Sequence, residues 1–229
     1  MPIANRDILG RAQAIRGSAL DWTMVRTGPE AHGSNGPGAT IARMPAHYLF
    51  LTTSTREPGH VGNTEWLARQ AAAALPAEAS QTWLHLAQMD LPPFVDLRHT
   101  TGQYPAPTGD LKTLLEATLA ATHIVFVAPV YWFSIPSPLK TYLDHWSGWM
   151  RVPGLAFKEP MAAKTLHLIT TSGDRTKAQP MIDSVQLCAQ FLGMRFAGAL
   201  WGKGGPPGAV QADAAAVQSA ASYLIATSA

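Results

Sequence analysis

The sequence predicts an α/β domain, a doubly wound parallel sheet of five strands with helices on both faces. Three observations point there. Residues 124–128 form a continuous apolar run rich in β-branched and aromatic side chains, as suits a strand buried on both faces of a parallel sheet. Similar short runs alternate along the chain with segments of helical periodicity. Loops rich in hydroxyls and glycine follow several of these runs, at the strand ends where open α/β sheets bind ligands.

Bulk composition narrows the function. The chain has 229 residues, enough for one domain with a full core and an appendage. A net charge of +2 and no basic run give no case for a nucleic-acid partner. Cys188 is the only cysteine, so neither a disulfide framework nor a cysteine metal cluster can form. The eight histidines show no ligand spacing, and a metal site is not expected. No apolar run reaches membrane-span length, and the N-terminus lacks a signal-peptide core, so the expected location is cytoplasmic.

Residues 1–45 read as an N-terminal extension, because residues 27–40 are dense in glycine, proline and asparagine. The domain spans residues 46–229. Tyr48, Leu49, Phe50 and Leu51 read as the first buried strand. A polar loop, residues 52–64, follows it. Asn63 suits an N-cap there, and Leu67, Ala71, Ala74 and Leu75 continue on one helical face. Ser54, Thr55, Asn63 and Thr64 can donate to phosphate oxygens beside that helix N-terminus, with Arg56 adding charge. The alternative is a polar surface loop in front of a capped helix. Neither a Walker loop nor a G-x-G-x-x-G fingerprint is present.

Residues 82–86 read as the second strand, and Pro92 and Pro93 hold the stretch after it out of helix. Leu111, Leu114, Leu115 and Leu119 mark the next helix, with Thr108 or Asp110 near its cap. The third strand, residues 124–128, stops at Pro129, and a loop carries Val130, Tyr131, Trp132, Phe133 and Ser134. Ser137 before Pro138 reads as the N-cap of a helix carrying Leu139, Leu143, Trp146 and Met150. Residues 151–160 read as loop and 164–169 as the fourth strand, running into a second hydroxyl and glycine loop, residues 170–174. Met181, Val185, Cys188, Ala189 and Leu192 form one face of a helix with Gly193 at C′. Residues 196–201 read as the fifth strand, 202–208 as loop, and 213–225 as a last helix capped by Asp213.

Two motifs carry a resemblance. Ser54, Thr55, Arg56 and the Gly62-Asn63-Thr64 triplet after the first strand, with Pro129, Tyr131, Pro136, Leu139, Lys140 and Asp144 after the third, resemble the flavodoxin-like NAD(P)H-dependent FMN reductase and quinone reductase superfamily. The family patterns are G-S-x-R-x-x-G-N-T and P-x-Y-x-x-x-x-P-x-x-L-K-x-x-x-D. The first departs here: Thr53 stands at the usual glycine, and extra residues separate Arg56 from Gly62. The resemblance implies strand order 2-1-3-4-5, which brings both motif loops to one switch point. It implies that Ser54, Arg56, Asn63 and Thr64 hold the phosphate of bound FMN. It further implies that Pro129, Val130, Tyr131, Trp132, Phe133 and Ser134, with Thr171, Ser172 and Gly173, lie against the flavin ring.

The implied activity is an FMN-dependent oxidoreductase. A hydride passes from NAD(P)H, the co-substrate, to the flavin and then to a quinone or similar small acceptor, in a ping-pong cycle. The resemblance also implies a homodimer or homotetramer. No side-chain acid or base is demanded, so no catalytic residue is named. The rival class is an electron carrier, which is usually acidic, as this chain is not; a flavin-binding regulator is the third. Tyr131, Trp132 and Phe133 either flank the ring or pack elsewhere. Lys140 has Asp144 as a helical partner at i+4. His145, His167 and Cys188 read as packing residues.

Overall fold

The computed structural model describes residues 45–225. The expected extension, residues 1–45, lies outside them apart from Pro45. The elements are β1 (His47–Thr52), α1 (Asn63–Ala73), β2 (Ser80–His85), α2 (Gly109–Ala120), β3 (His123–Val127), α3 (Ser137–Trp149), α4 (Lys158–Ala162), β4 (Thr165–Ser172), α5 (Arg175–Phe191), β5 (Arg195–Lys203) and α6 (Ala214–Tyr223). The sheet has five strands in the order β2-β1-β3-β4-β5. All its pairings are parallel.

Alternation along the apolar runs builds two cores. On β1, Leu49 and Leu51 face one side and Tyr48 and Phe50 the other. On β3, Ile124 and Phe126 join the first core, Val125 and Val127 the second. The first core is closed by Leu114 of α2, Leu139 and Trp146 of α3, Met161 of α4, and Met181 and Val185 of α5. The second is closed by Leu67 and Ala71 of α1 and by Ala216 and Ala220 of α6. This is why the strand runs read as continuously apolar: neither face meets water.

Several boundaries differ from the sequence reading. The N-cap of α1 is Gly62, not Asn63, and that of α3 is Pro136, not Ser137. Asn63 and Ser137 are the first helical residues, Asn63 because its side chain is drawn to another loop. Residues 158–162 form α4, overlapping the end of the stretch read as loop; Pro160 sits in its first turn, where a missing N–H costs nothing. β4 runs on through Thr170, Thr171 and Ser172 because Trp201, Gly202 and Lys203 keep pairing with them. Leu86 leaves β2 for a single 3-10 turn. α5 begins at Arg175 and passes through Pro180.

Other caps match. Thr108 is the N-cap of α2. The side chains of Asp174 and Asp213 accept from Lys177 N and Ala216 N at the starts of α5 and α6. Gly193 follows α5 with φ of 72°, and Gly193 N and Met194 N donate to Gln190 O and Ala189 O. Lys140 pairs with Asp144 on α3. His145 is buried and bonded to Pro92 O at 2.8 Å. Among the described residues, no helix is long and apolar enough to cross a membrane.

Candidate functional site

A cleft opens at the carboxyl edge of the sheet, where strand order reverses between β1 and β3. Its floor is Thr52 and Val127, the last residues of those strands. Thr53, buried, turns away from it: its N–H and hydroxyl donate to Val127 O at 3.1 and 3.2 Å. The residue at the family's usual glycine therefore ties β1 to β3 and does not enter the cleft.

One wall is the start of α1. Gly62, Asn63, Thr64 and Glu65 line it, and no side chain caps this helix N-terminus. Its first N–H groups and positive dipole end face the cleft. Ser54 and Arg56 stand across from it. The Arg56 side chain lies against Gly62, where a Cβ would come within 3.2 Å of Nε. Glu65 adds an unfavourable charge for an anion, but Arg69 holds it through Nε and Nη2, at 3.0 and 2.6 Å. Thr64 and Thr171 share a buried hydroxyl–hydroxyl bond of 2.6 Å, joining α1 to the end of β4.

The opposite wall is Pro129, Val130 and Tyr131 after β3, with Thr171, Ser172 and Gly173 at the end of β4. The Tyr131 phenol reaches the first loop. Burial pushes its pKa up, but hydrogen bonds from Ser54 and Thr55 and the Arg56 charge outweigh this and hold it below the usual phenol value. Tyr131 thus bridges the two loops that the sequence motifs single out. The Ser172 hydroxyl is committed to Asp174 O and to Trp201 Nε1, so this residue offers the cleft its backbone. At Gly173 nothing stands nearer than Lys177 Nζ to a built Cβ, leaving the backbone open to close approach.

The sequence profile of the flavodoxin-like fold family matches residues 46–224. The chain belongs to the flavodoxin-like fold family. A relative in Bacillus subtilis (strain 168) is 34% identical over 167 residues, covering 72% of this chain and 90% of its own. It is named an NAD(P)H-dependent FMN-containing oxidoreductase, YwqN, a designation that is itself provisional. Among solved structures, the Trp repressor binding protein from Bacillus subtilis superposes with a TM-score of 0.59 at 27% identity, covering 77% of this chain and 97% of that one. The NAD(P)H:quinone oxidoreductase from Methanothermobacter marburgensis superposes at 0.58 with 18% identity, covering 79% and 94%, a likeness of fold alone.

Within this flavodoxin-like fold, ten of the expected site residues meet in the cleft: Ser54, Arg56, Asn63, Thr64, Pro129, Val130, Tyr131, Thr171, Ser172 and Gly173. Trp132, Phe133 and Ser134 do not line it. Trp132 and Phe133 form the tip of a tight turn closed by Tyr131 N to Ser134 O at 3.0 Å and Ser134 N to Tyr131 O at 2.9 Å. Val130 N is likewise committed, to Thr171 O. Of the backbone donors from Val130 to Ser134, the N–H groups of Trp132 and Phe133 are thus the ones without a backbone partner.

That turn is strained. Trp132 and Phe133 have φ of 48° and 64°, a left-handed pair that asparagine and glycine adopt far more readily. Trp132 is 93% exposed and Phe133 52%, so packing does not repay the strain. Such strain concentrates at functional sites. A double variant, Trp132→Asn with Phe133→Gly, is expected to raise unfolding free energy by about 1–2 kcal/mol. Chemical denaturation measures this; an unchanged or lowered midpoint would show that the aromatic side chains hold the turn.

The cleft also takes residues that sequence reasoning did not single out as site residues: Thr52, Gly62, Glu65, Val127, Gly204 and Gly205. Gly204 is wedged against Thr171, where a Cβ would meet the threonine side chain at 3.1 Å. The available signal was the loop's place after the fifth strand, the same edge rule that flagged the other loops.

Proposed function

We propose that this protein is an FMN-dependent NAD(P)H oxidoreductase that passes reducing equivalents to a quinone or similar small acceptor by a ping-pong mechanism. One observation carries the reading: the two sequence motifs, far apart in the chain, meet across a single cleft with an uncapped helix N-terminus at one end and a strained aromatic turn beside the other. The family relationship to an oxidoreductase named as FMN-containing supports it.

The residues fit the cofactor. The α1 N–H groups and Arg56 favour a phosphate group, with Ser54 beside them in the same cleft. In the Thr64–Thr171 pair one hydroxyl proton remains free to donate. Pro129, Val130 and Tyr131 with Thr171, Ser172 and Gly173 form a largely backbone surface for a flat ring. The free N–H groups of Trp132 and Phe133 are placed to stabilise negative charge at a ring edge. FMN, when bound, supplies the hydride chemistry; the chain binds and orients it and sets its electrostatics. The co-substrate is NAD(P)H, the assembly a homodimer or homotetramer, and the location cytoplasmic.

Initial rates test the cycle. With NADPH or NADH varied at several fixed quinone concentrations, double-reciprocal lines should be parallel. Intersecting lines would mean that nucleotide and acceptor occupy the protein together.

A further inference from the structure

We infer that Asn63 is a positioning residue: its side chain clamps the Gly204–Pro206 segment in place as the back wall of the cleft, rather than binding the phosphate itself. This rests on the proposal that the cleft takes the FMN phosphate.

All the bonding directions of the Asn63 amide that the fold uses lead to one loop. Nδ2 donates to Gly205 O at 3.2 Å and to Pro206 O at 3.0 Å. Oδ1 accepts from Val210 N at 3.4 Å. Both donor hydrogens are thus spent on backbone carbonyls more than a hundred residues away in sequence, and the residue is buried. The loop needs such a clamp. Pro206 and Pro207 have no N–H to donate, and Gly204 and Gly205 have no side chain to anchor. The other ties of its cleft-facing part are Gly204 N to Ser172 O at 2.8 Å and the packing of Gly204 on Thr171. The clamp also explains why α1 starts one residue early. With its side chain drawn to the loop, Asn63 cannot cap the helix, and the first-turn N–H groups stay free for the cleft.

The test separates a clamp from a ligand by reading the protein without any bound phosphate. In Asn63→Ala, hydrogen exchange at Val210 and the following turn should speed up in the cofactor-free protein while the sheet amides stay protected. FMN affinity should fall about tenfold or more, with riboflavin affinity falling less. Asn63→Leu keeps the approximate size, adds no charge and loses both donors and the acceptor, so it should behave like the alanine variant and serves if that variant fails to fold. Loss of FMN affinity with unchanged exchange at Val210 would make Asn63 a direct ligand and overturn the inference. Faster exchange with unchanged FMN affinity would overturn it too, leaving the loop irrelevant to the site. If the unaltered protein binds no FMN, the cofactor reading fails, while the exchange measurement still reports whether the clamp exists.

Discussion

Arg56→Ala is expected to weaken FMN binding by about ten- to a hundredfold while leaving riboflavin binding nearly unchanged. The two ligands differ only in the phosphate, so the comparison isolates what Arg56 contributes to it. Among the described residues Arg56 forms no ion pair, and its side chain lies along Gly62 beside the open start of α1. A hydrogen bond to a charged group contributes about 1.5–3 kcal/mol, which sets the expected range. Arg56→Lys keeps the charge but loses the planar fork and should fall between. Fluorescence titration with each flavin measures both affinities. Equal losses for FMN and riboflavin would place Arg56 with the ring or the fold instead.

The second large effect concerns acid stability. His167 is 0% exposed, and its Nε2 lies 3.0 Å from His123 Nδ1, with Tyr223 edge-on at 5.6 Å. Its Nδ1 has no partner. Burial, then the nearby His123 and Arg195, push its pKa down from 6.5 to about 3. The folded protein thus holds this ring neutral where the unfolded chain protonates it. Stability is full above about pH 6.5 and is lost as pH falls, by about 1.4 kcal/mol per pH unit, or about 2–3 kcal/mol by pH 4.5. Asp174 and Asp213, whose carboxyls lie below their ordinary values, act in a more acid window. Urea unfolding from pH 7 to 4.5 should show this slope, and His167→Gln should flatten it by about one proton. An unchanged slope in the variant would assign the acid lability elsewhere.

Much of the fold was legible because burial on both faces leaves a local trace. The run around Ile124 and Phe126 read as a strand buried on both faces, as β3 is, and β1 repeats the pattern at Leu49 and Phe50. Strand order was not legible from periodicity; it came with the motifs after the first and third strands, and the sheet has that order. Caps were read well where the side chain folds back on its own helix, as at Asp174 and Asp213. They were misread where it bonds across the molecule, as at Asn63, because no local pattern reveals a partner at Gly205. The end of β4 was hidden for the same reason, since hydroxyls at Thr170 to Ser172 suggest a loop until β5 is laid beside them.

The cleft shows the same division. Ser54, Arg56 and Tyr131 were found from residue type and position after a strand. Gly204 and Gly205 were passed over because a glycine and proline loop carries no chemistry of its own; its role comes from what holds it. The turn at Trp132 and Phe133 gave no warning of its left-handed backbone, since the residues that announce one are glycine and asparagine.

The most direct measurement is the visible spectrum of the purified protein under anaerobic conditions, before and after NADPH and then NADH. A yellow protein that releases FMN on denaturation, is bleached rapidly by a nucleotide and regains its colour on adding quinone is the predicted result. A protein that stays colourless after incubation with FMN, or a yellow one that neither nucleotide bleaches, would contradict the assignment.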